Sequence, residues 1–319
     1  MLYAGTTYLR SFKYSLLNEI VKKLKLISIS AGNQRHESNL VGTSETLRNE
    51  TVETILSTEN LKSISNHVPS HLKPVTSDQF GHYLAGLIDG DGHFSSKQQL
   101  VIVFHSLDAS LAYYIKEQLE CGSVKKVKDK NAFLLVLSSR KGLEKVINLI
   151  NGKIRTENIF NQIKNNILNH QNFAEFSQKI NFNFKLNKDF KNHWLAGFTD
   201  ADGSFQIKVL TRNNKVEVRL NFQIDQKKDN ILLLIKDFFG GNIVYRISQD
   251  TYYYGSTSFG TAKNFINYFD YFHLLSSKHV NYLKWRKAYL IIQKRDHLKK
   301  EGLEKINKLK KTMNRLSET

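Results

Sequence analysis

His82-Tyr-Leu-Ala-Gly-Leu-Ile-Asp-Gly-Asp-Gly-His-Phe94 returns 111 residues later as His193-Trp-Leu-Ala-Gly-Phe-Thr-Asp-Ala-Asp-Gly-Ser-Phe205, with eight positions identical. A repeat of this kind means that one structural unit is built twice, so it outranks any local signal in deciding the fold. The chain downstream of each copy repeats as well. An alternating apolar stretch comes first, then an Asp-led helical pattern over residues 108–120 and 229–239. A Gly and a second alternating pair come next, 123–127 with 132–138 and 242–248 with 252–259, and then a further helix near 141–151 and 261–271. Each unit reads helix, hairpin, helix, hairpin, helix, which predicts an α+β fold with antiparallel sheets. Residues 276–297 predict one more amphipathic helix, with Tyr282, Trp285, Tyr289 and Ile292 as its core stripe.

The repeated run also carries a packing instruction. Gly86 and Gly90, like Gly197 and Ala201, are four residues apart and share one helix face. Small residues at that spacing let two helices approach closely, which offsets the penalty of glycine inside a helix. If the copies pack on each other, Asp91 and Asp202 meet at the centre of a pseudo-two-fold axis. Two carboxylates brought together there need a cation, and hard oxygen donors suit Mg²⁺ bridging to a phosphate. Such a metal can activate water and stabilise the leaving oxygen of a phosphodiester. Duplex nucleic acid has a matching local two-fold, so one carboxylate per strand corresponds to a double-strand cut.

Composition agrees with a polyanionic partner. The chain has 319 residues and a formal charge of +18, with 47 Lys+Arg against 29 Asp+Glu. Residues 1–77 hold 9 basic and 6 acidic side chains, 78–175 hold 12 and 10, and 176–319 hold 26 and 13, so the excess lies in the C-terminal half. The single Cys121 excludes a disulfide framework and a Cys-rich zinc module, and reads as a small core residue. The longest apolar runs, such as Ala132–Leu137, fall far short of the roughly 20 residues a membrane helix needs, so no membrane partner is expected. Pro69 and Pro74 mark residues 67–75 as a linker. Upstream, residues 28–66 are polar. Residues 1–30 carry Arg10, Lys13, Lys22, Lys23 and Lys25 against Glu19, a pattern shared by organellar presequences and amphipathic helices. His67 and His71 have zinc-like spacing without a third ligand, and His93 and His105 read as sheet or surface residues.

Both runs resemble the motif that gives the LAGLIDADG homing endonucleases their name, in the single-chain, two-repeat form encoded within group I introns. The resemblance spans about residues 78–297. It implies two pseudo-symmetric αββαββα halves packed through the motif helices, with antiparallel sheets forming a DNA-binding saddle. The expected organisation is an N-terminal extension (1–77, polar, mobile or processed), repeat 1 (78–175), a linker (176–189), repeat 2 (190–297) and a basic tail (298–319). The implied activity is Mg²⁺-dependent double-strand cleavage at a long asymmetric DNA target by a monomer with an internal pseudo-dimer. An alternative is a maturase that binds its host group I intron RNA as a splicing cofactor. A mitochondrial location is expected, and an AT-rich genome fits the Lys, Asn, Ile, Phe and Tyr content.

Carried over residue by residue, Asp91 and Asp202 are the implied metal ligands and catalytic carboxylates, with backbone carbonyls of Gly90 and Ala201 beside them. Asp89 and Asp200 are expected to serve helix-end hydrogen bonding. A basic residue is implied near the start of each third helix: Lys141, with Arg140 next to it, in the first repeat. In the second repeat Gly260 stands there, with Lys263 beyond it, so cleavage of one strand is expected to be impaired. Gln226 is similar to a polar active-site residue of the family. On the implied saddle, side chains alternating away from the core read bases: Gln206, Lys208, Arg212, Arg219, Asn221 and Gln223, with Arg246 from the second hairpin. From Gly92 to Asp108 is 16 residues, against 26 from Gly203 to Asp229, so the first hairpin of repeat 1 is short and Lys97 sits in a tight turn. Lys97 remains an expected DNA contact with less reach along the groove, and Lys125, with Lys126, Lys128 and Lys130, is expected to contact phosphates.

Overall fold

The computed structural model describes residues 63–184, 186–212 and 215–313. Helix α1 (Ser77–Asp91) opens on a capping box in which Thr76 and Gln79 satisfy each other's backbone N–H groups. Its middle, from Phe80 to Asp89, is buried except for His82, because it packs against the second motif helix as well as its own sheet. Strands β1 (Gly92–Ser95) and β2 (Gln99–His105) come next, then helix α2 (Ala109–Leu119), strands β3 (Ser123–Lys126) and β4 (Ala132–Leu137), and helix α3 (Arg140–Ile150). Helices α4 (Glu157–Ile163), continued by one wide turn to Leu168, and α5 (Ala174–Lys179) lead to the second unit. That unit consists of α6 (Trp194–Asp202), β5 (Gly203–Arg212), β6 (Lys215–Gln226), α7 (Asn230–Phe239), β7 (Asn242–Arg246), β8 (Thr251–Ser256) and α8 (Phe259–Tyr271). Helices α9 (Lys278–Gln293) and α10 (Lys300–Thr312) close the described chain.

Each unit contains one four-stranded antiparallel sheet, in the orders β1-β2-β4-β3 and β5-β6-β8-β7. The registers match. Gly92 pairs with Ile102 as Gly203 pairs with Ile224, and Ile102 with Leu135 as Ile224 with Tyr254. Leu100, Ile102 and Phe104 face the helices in the first sheet, as Phe222 and Ile224 do in the second. The first hairpin of the first sheet is the short one, with strands of 4 and 7 residues against 10 and 12. Its turn holds Lys97, and Gln98 adopts a left-handed φ of 53°.

Residues 67–75, expected to be a linker, are instead held against the second unit. The Arg286 guanidinium donates to the Ser65 and His67 carbonyls while paired to Asp270, and Gln293 brackets Ile64 through both its amide atoms. His71 bonds the Leu274 carbonyl (2.7 Å) and packs at a tilt against the His279 and His273 rings. Prolines that forbid helix do not forbid an extended strap. The presequence and polar-region readings of residues 1–62 lie outside the described residues. The stretch between the units also packs, with Phe182 and Phe184 against Phe160. The basic tail forms α10, whose Ile306 is buried while its lysines face outward. Tyr282, Trp285 and Tyr289 are core residues, as read from their spacing. Cys121 is half-buried beside Gly142. No described helix is long and apolar enough to cross a membrane.

Candidate active site and nucleic-acid interface

The site is built on the crossing of α1 and α6. A methyl group added to Gly86 would lie 1.9 Å from the Trp194 carbonyl oxygen, and one on Gly197 would lie 2.0 Å from that of Tyr83. Backbone therefore touches backbone at two symmetry-related points, and only glycine fits at either. At the C-terminal ends the helices remain together: a methyl on Gly90 would lie 2.3 Å from Ala201 Cβ and 3.1 Å from Asp202 Oδ2. The two motif carboxylates are thus positioned by the chain ends that the sequence assigns them.

Asp89 and Asp200 hold this crossing in place. Asp89 accepts from the indole of Trp194 (2.9 Å), the backbone N–H groups of Arg155 (2.8 Å) and Thr156 (3.2 Å), and the Thr156 hydroxyl (2.6 Å). Asp200 accepts from the Tyr83 hydroxyl (2.6 Å), the Leu275 N–H (2.7 Å) and the Ser276 hydroxyl (2.5 Å). Each carboxylate therefore clamps an aromatic donor from the other unit to a loop of its own. The expected helix-end role was too local, since these bonds join elements far apart in sequence. Burial pushes the Asp89 carboxyl up to about 6 against the pull of those four donors, and raises Asp200 in the same way.

Asp91 and Asp202 are half-buried where the helices end. Gln226, at the end of β6 and singled out by resemblance, donates from Nε2 to Asp202 Oδ2 (2.7 Å). Sequence reading missed Lys278. Its ammonium donates to the Ala201 carbonyl (2.7 Å) and the Thr199 carbonyl (3.1 Å), placing a positive charge at the negative end of α6. The basic residue of the second unit was sought at the start of its third helix, where Gly260 faces open space. The ammonium at the end of α6 belongs instead to Lys278, the first residue of α9 and two residues past Ser276, a position that only the partners of Asp200 reveal. Lys141 is exposed on the first turn of α3, while Arg140 pairs with Glu144 and Glu175.

The donor set fits a divalent cation. Two carboxylates and neighbouring carbonyls are hard oxygen donors, and among the described residues no cluster of three or more His, Cys, Asp or Glu could enclose a metal. Mg²⁺ characteristically takes one or two carboxylates and completes its shell with water and phosphate oxygens. The same finding sets aside His67 and His71 as part of a described metal cluster.

The face of the second sheet turned away from its helices carries the polar residues singled out from alternation. Gln206 donates to Gln223 (3.0 Å), Asn221 to Gln206 (3.3 Å) and to the Tyr253 hydroxyl (3.1 Å), and Gln223 to Asp225 (2.7 Å). Arg246 stacks over Tyr253 and pairs with Asp225 (2.9 Å), while Arg219 binds Glu217 through two N–H groups. Lys208 is pushed below its usual value by burial and by Arg219 and Arg246, so an anionic ligand would relieve it. The backbone of Arg212 continues β5; its side chain lies outside the described residues. In the first unit Lys97 and Lys125 are exposed, in the β1–β2 turn and on β3.

Comparison with known proteins places the chain. The LAGLIDADG endonuclease family model matches residues 84–168 and 195–289, one region per unit. An uncharacterized cox1 intron-2 protein of Schizosaccharomyces pombe is 60% identical over 97% of this chain and 95% of its own length. Intron-encoded DNA endonuclease aI3 of Saccharomyces cerevisiae is 30% identical over 67% of this chain, which spans 64% of that protein. Among solved structures, a lysine-to-alanine point mutant of I-SmaMI is 24% identical, with a TM-score of 0.61 over 77% of this chain and 99% of its own. The LAGLIDADG meganuclease I-CpaMI, bound to uncleaved DNA, gives a TM-score of 0.57 at 19% identity, over 74% of this chain and 99% of its own. Those structures share the fold: two units, each with a four-stranded antiparallel sheet, joined through paired motif helices. With both motif regions matched and the fold shared, the chain belongs to the LAGLIDADG homing endonuclease family, in its two-motif, single-chain form.

Proposed function

We propose that the chain is a Mg²⁺-dependent endonuclease that makes a double-strand cut at one long asymmetric DNA site, the insertion point of its own intron. The observation that carries this reading is the close approach of Gly90, the residue before Asp91, to Ala201 and Asp202 at the end of the glycine-packed helix pair, with Gln226 held against Asp202. Bound there, Mg²⁺ would supply Lewis acidity and an acidified water for phosphodiester hydrolysis. Asp91 and Asp202, with the carbonyls of Gly90 and Ala201, would hold the cation once the Lys278 ammonium, bonded here to the Ala201 carbonyl, turns to the phosphate. Gln226 fixes the orientation of the Asp202 carboxylate, and Lys278 presents positive charge where a scissile phosphate would lie. Gln206, Lys208, Arg212, Arg219, Asn221, Gln223 and Arg246 contact bases and phosphates of one half-site, and Lys97 and Lys125 grip phosphates of the other. The protein acts as a monomer, its two units serving as the two subunits.

The two ends are unequally equipped. Sheet register equates Gln226 with Phe104, and the loop contacts of Asp89 and Asp200 equate Lys278 with Asn158. The strand served by the Asp91 end is therefore the slow one, the reverse of what Gly260 and Lys141 suggest. Similarity to an Intron-encoded RNA maturase bI4 of Saccharomyces cerevisiae, at 28% identity over 67% of this chain, supports a second reading in which intron RNA is also bound. The cox1 intron origin of a relative 60% identical supports a mitochondrial site of action.

The test is cleavage of a supercoiled plasmid carrying the intron-less insertion site. Linear product that requires Mg²⁺ and forms through a nicked intermediate is expected; no cutting by folded, site-binding protein would leave the maturase reading. In Lys278→Met, strand-labelled substrate should show one strand slowed by about 10²-fold or more and the other nearly unaffected. Equal slowing of both strands would contradict the unequal roles.

A further inference from the structure

The two sheets share order and register but not chemistry on the face turned away from the core. Taking the strand pairings position by position, Gln223 corresponds to Val101, Asp225 to Val103, Tyr253 to Leu134 and Gly255 to Val136. Arg246 corresponds to Val127 by the matching positions of β3 and β7. A hydrogen-bonded network in the second unit thus becomes an aliphatic floor in the first. Val101 is packed among its neighbours as Gln223 is, at 4% and 5% exposed, while Val103, Leu134 and Val136 keep part of their surface open. Around this floor lie polar and basic groups: His93 paired opposite Val101 on β1, Ser95 and Gln99 at one end, the exposed Lys97 in the turn beyond them, and Lys125 paired opposite Leu134.

We propose that the first unit reads its half-site through thymine C5-methyl groups packed on Val101, Val103, Leu134 and Val136. This rests on the DNA-binding reading above. Side chains without donors or acceptors cannot distinguish bases by hydrogen bonds, and the thymine methyl is the one apolar feature on a major-groove edge. An apolar floor rimmed by exposed lysines suits a groove that presents methyl groups within and phosphates along its borders. A protein partner would need no such cationic rim. The chain then recognises its target by two different chemistries, donor and acceptor matching in one half-site and methyl contact in the other. RNA offers neither the methyl nor an accessible major groove, so this surface favours DNA.

The experiment measures affinity for the intron-less insertion-site duplex at fixed salt, with the thymines of one half-site, then the other, replaced by deoxyuridine. Replacement in one half-site should weaken binding about tenfold or more, at roughly 0.8 kcal/mol per buried methyl, and in the other by less than about threefold. In Val103→Thr/Leu134→Thr, which keeps strand-favouring side chains, the sensitive half-site should lose most of its response to deoxyuridine. Indifference of both half-sites, equal responses from both, a response unchanged in the variant, or a site with no thymines in either half would each overturn the proposal. If the thymine duplex itself is not bound, the DNA-binding reading fails first and takes this inference with it. Normal binding with no deoxyuridine effect sinks this inference alone.

Discussion

Asp89 and Asp200 show how a single side chain can hold a pseudo-symmetric interface. Each is buried, each is surrounded by donors, and each takes one donor from an aromatic residue at the second position of the opposite motif. Removing that donor leaves a buried carboxylate short of a partner, which usually costs about 1–3 kcal/mol. Trp194→Phe and Tyr83→Phe should therefore lose stability by that amount in urea titrations, and losses under about 0.5 kcal/mol would show that the clamps matter little. His193 gives the molecule an acid limit. Burial holds it down to about 4, whereas an unfolded histidine titrates near 6.5, so between those values the unfolded chain binds more protons. Stability contributed by the neutral ring is complete above about 6.5 and is lost as pH falls toward 4. Asp89, pushed up to about 6, acts in the opposite sense by favouring the folded chain at the acid end of its window. His193→Gln should flatten the loss of stability between pH 6.5 and 4.5 by roughly 2–3 kcal/mol. An unchanged pH profile would contradict the burial argument.

At the scale of elements, the helix pair was legible because its requirement is written in glycines. Gly86 and Gly197 meet opposing carbonyl oxygens, so no side-chain adjustment can make room for a methyl group. Gly86→Ala and Gly197→Ala should each destabilise by about 3 kcal/mol or more, read from the thermal midpoint, and a change under 1 kcal/mol would refute backbone contact. The sheets were legible for a related reason: strict alternation at Phe205–Val209 and Val218–Ile224 leaves one set of residues for the core and the other for a ligand. Gln226 was legible through resemblance alone. Lys278 was not, because its role depends on the loop after α8 folding back onto the end of α6, a contact between residues 77 apart in the chain. The strap before α1 escaped for a similar reason. Its proline content argues correctly against helix, but the groups that hold it, Arg286, Gln293 and Leu274, lie some two hundred residues away.

At the largest scale, the described chain is one architecture used twice with different chemistry in each copy. The scaffold repeats down to strand register, while the surfaces that would meet DNA and the groups at the two motif ends have diverged. That arrangement suits an asymmetric target, since a palindrome would be read equally by equal halves. It also concentrates the central claim in two carboxylates. The most direct measurement compares wild type, Asp91→Asn and Asp202→Asn on the intron-less insertion-site duplex with Mg²⁺, following cleavage and binding in parallel. Both variants should bind with near-wild-type affinity and lose double-strand cleavage. Undiminished cutting by either variant would contradict the assignment of the active site to the paired motif ends.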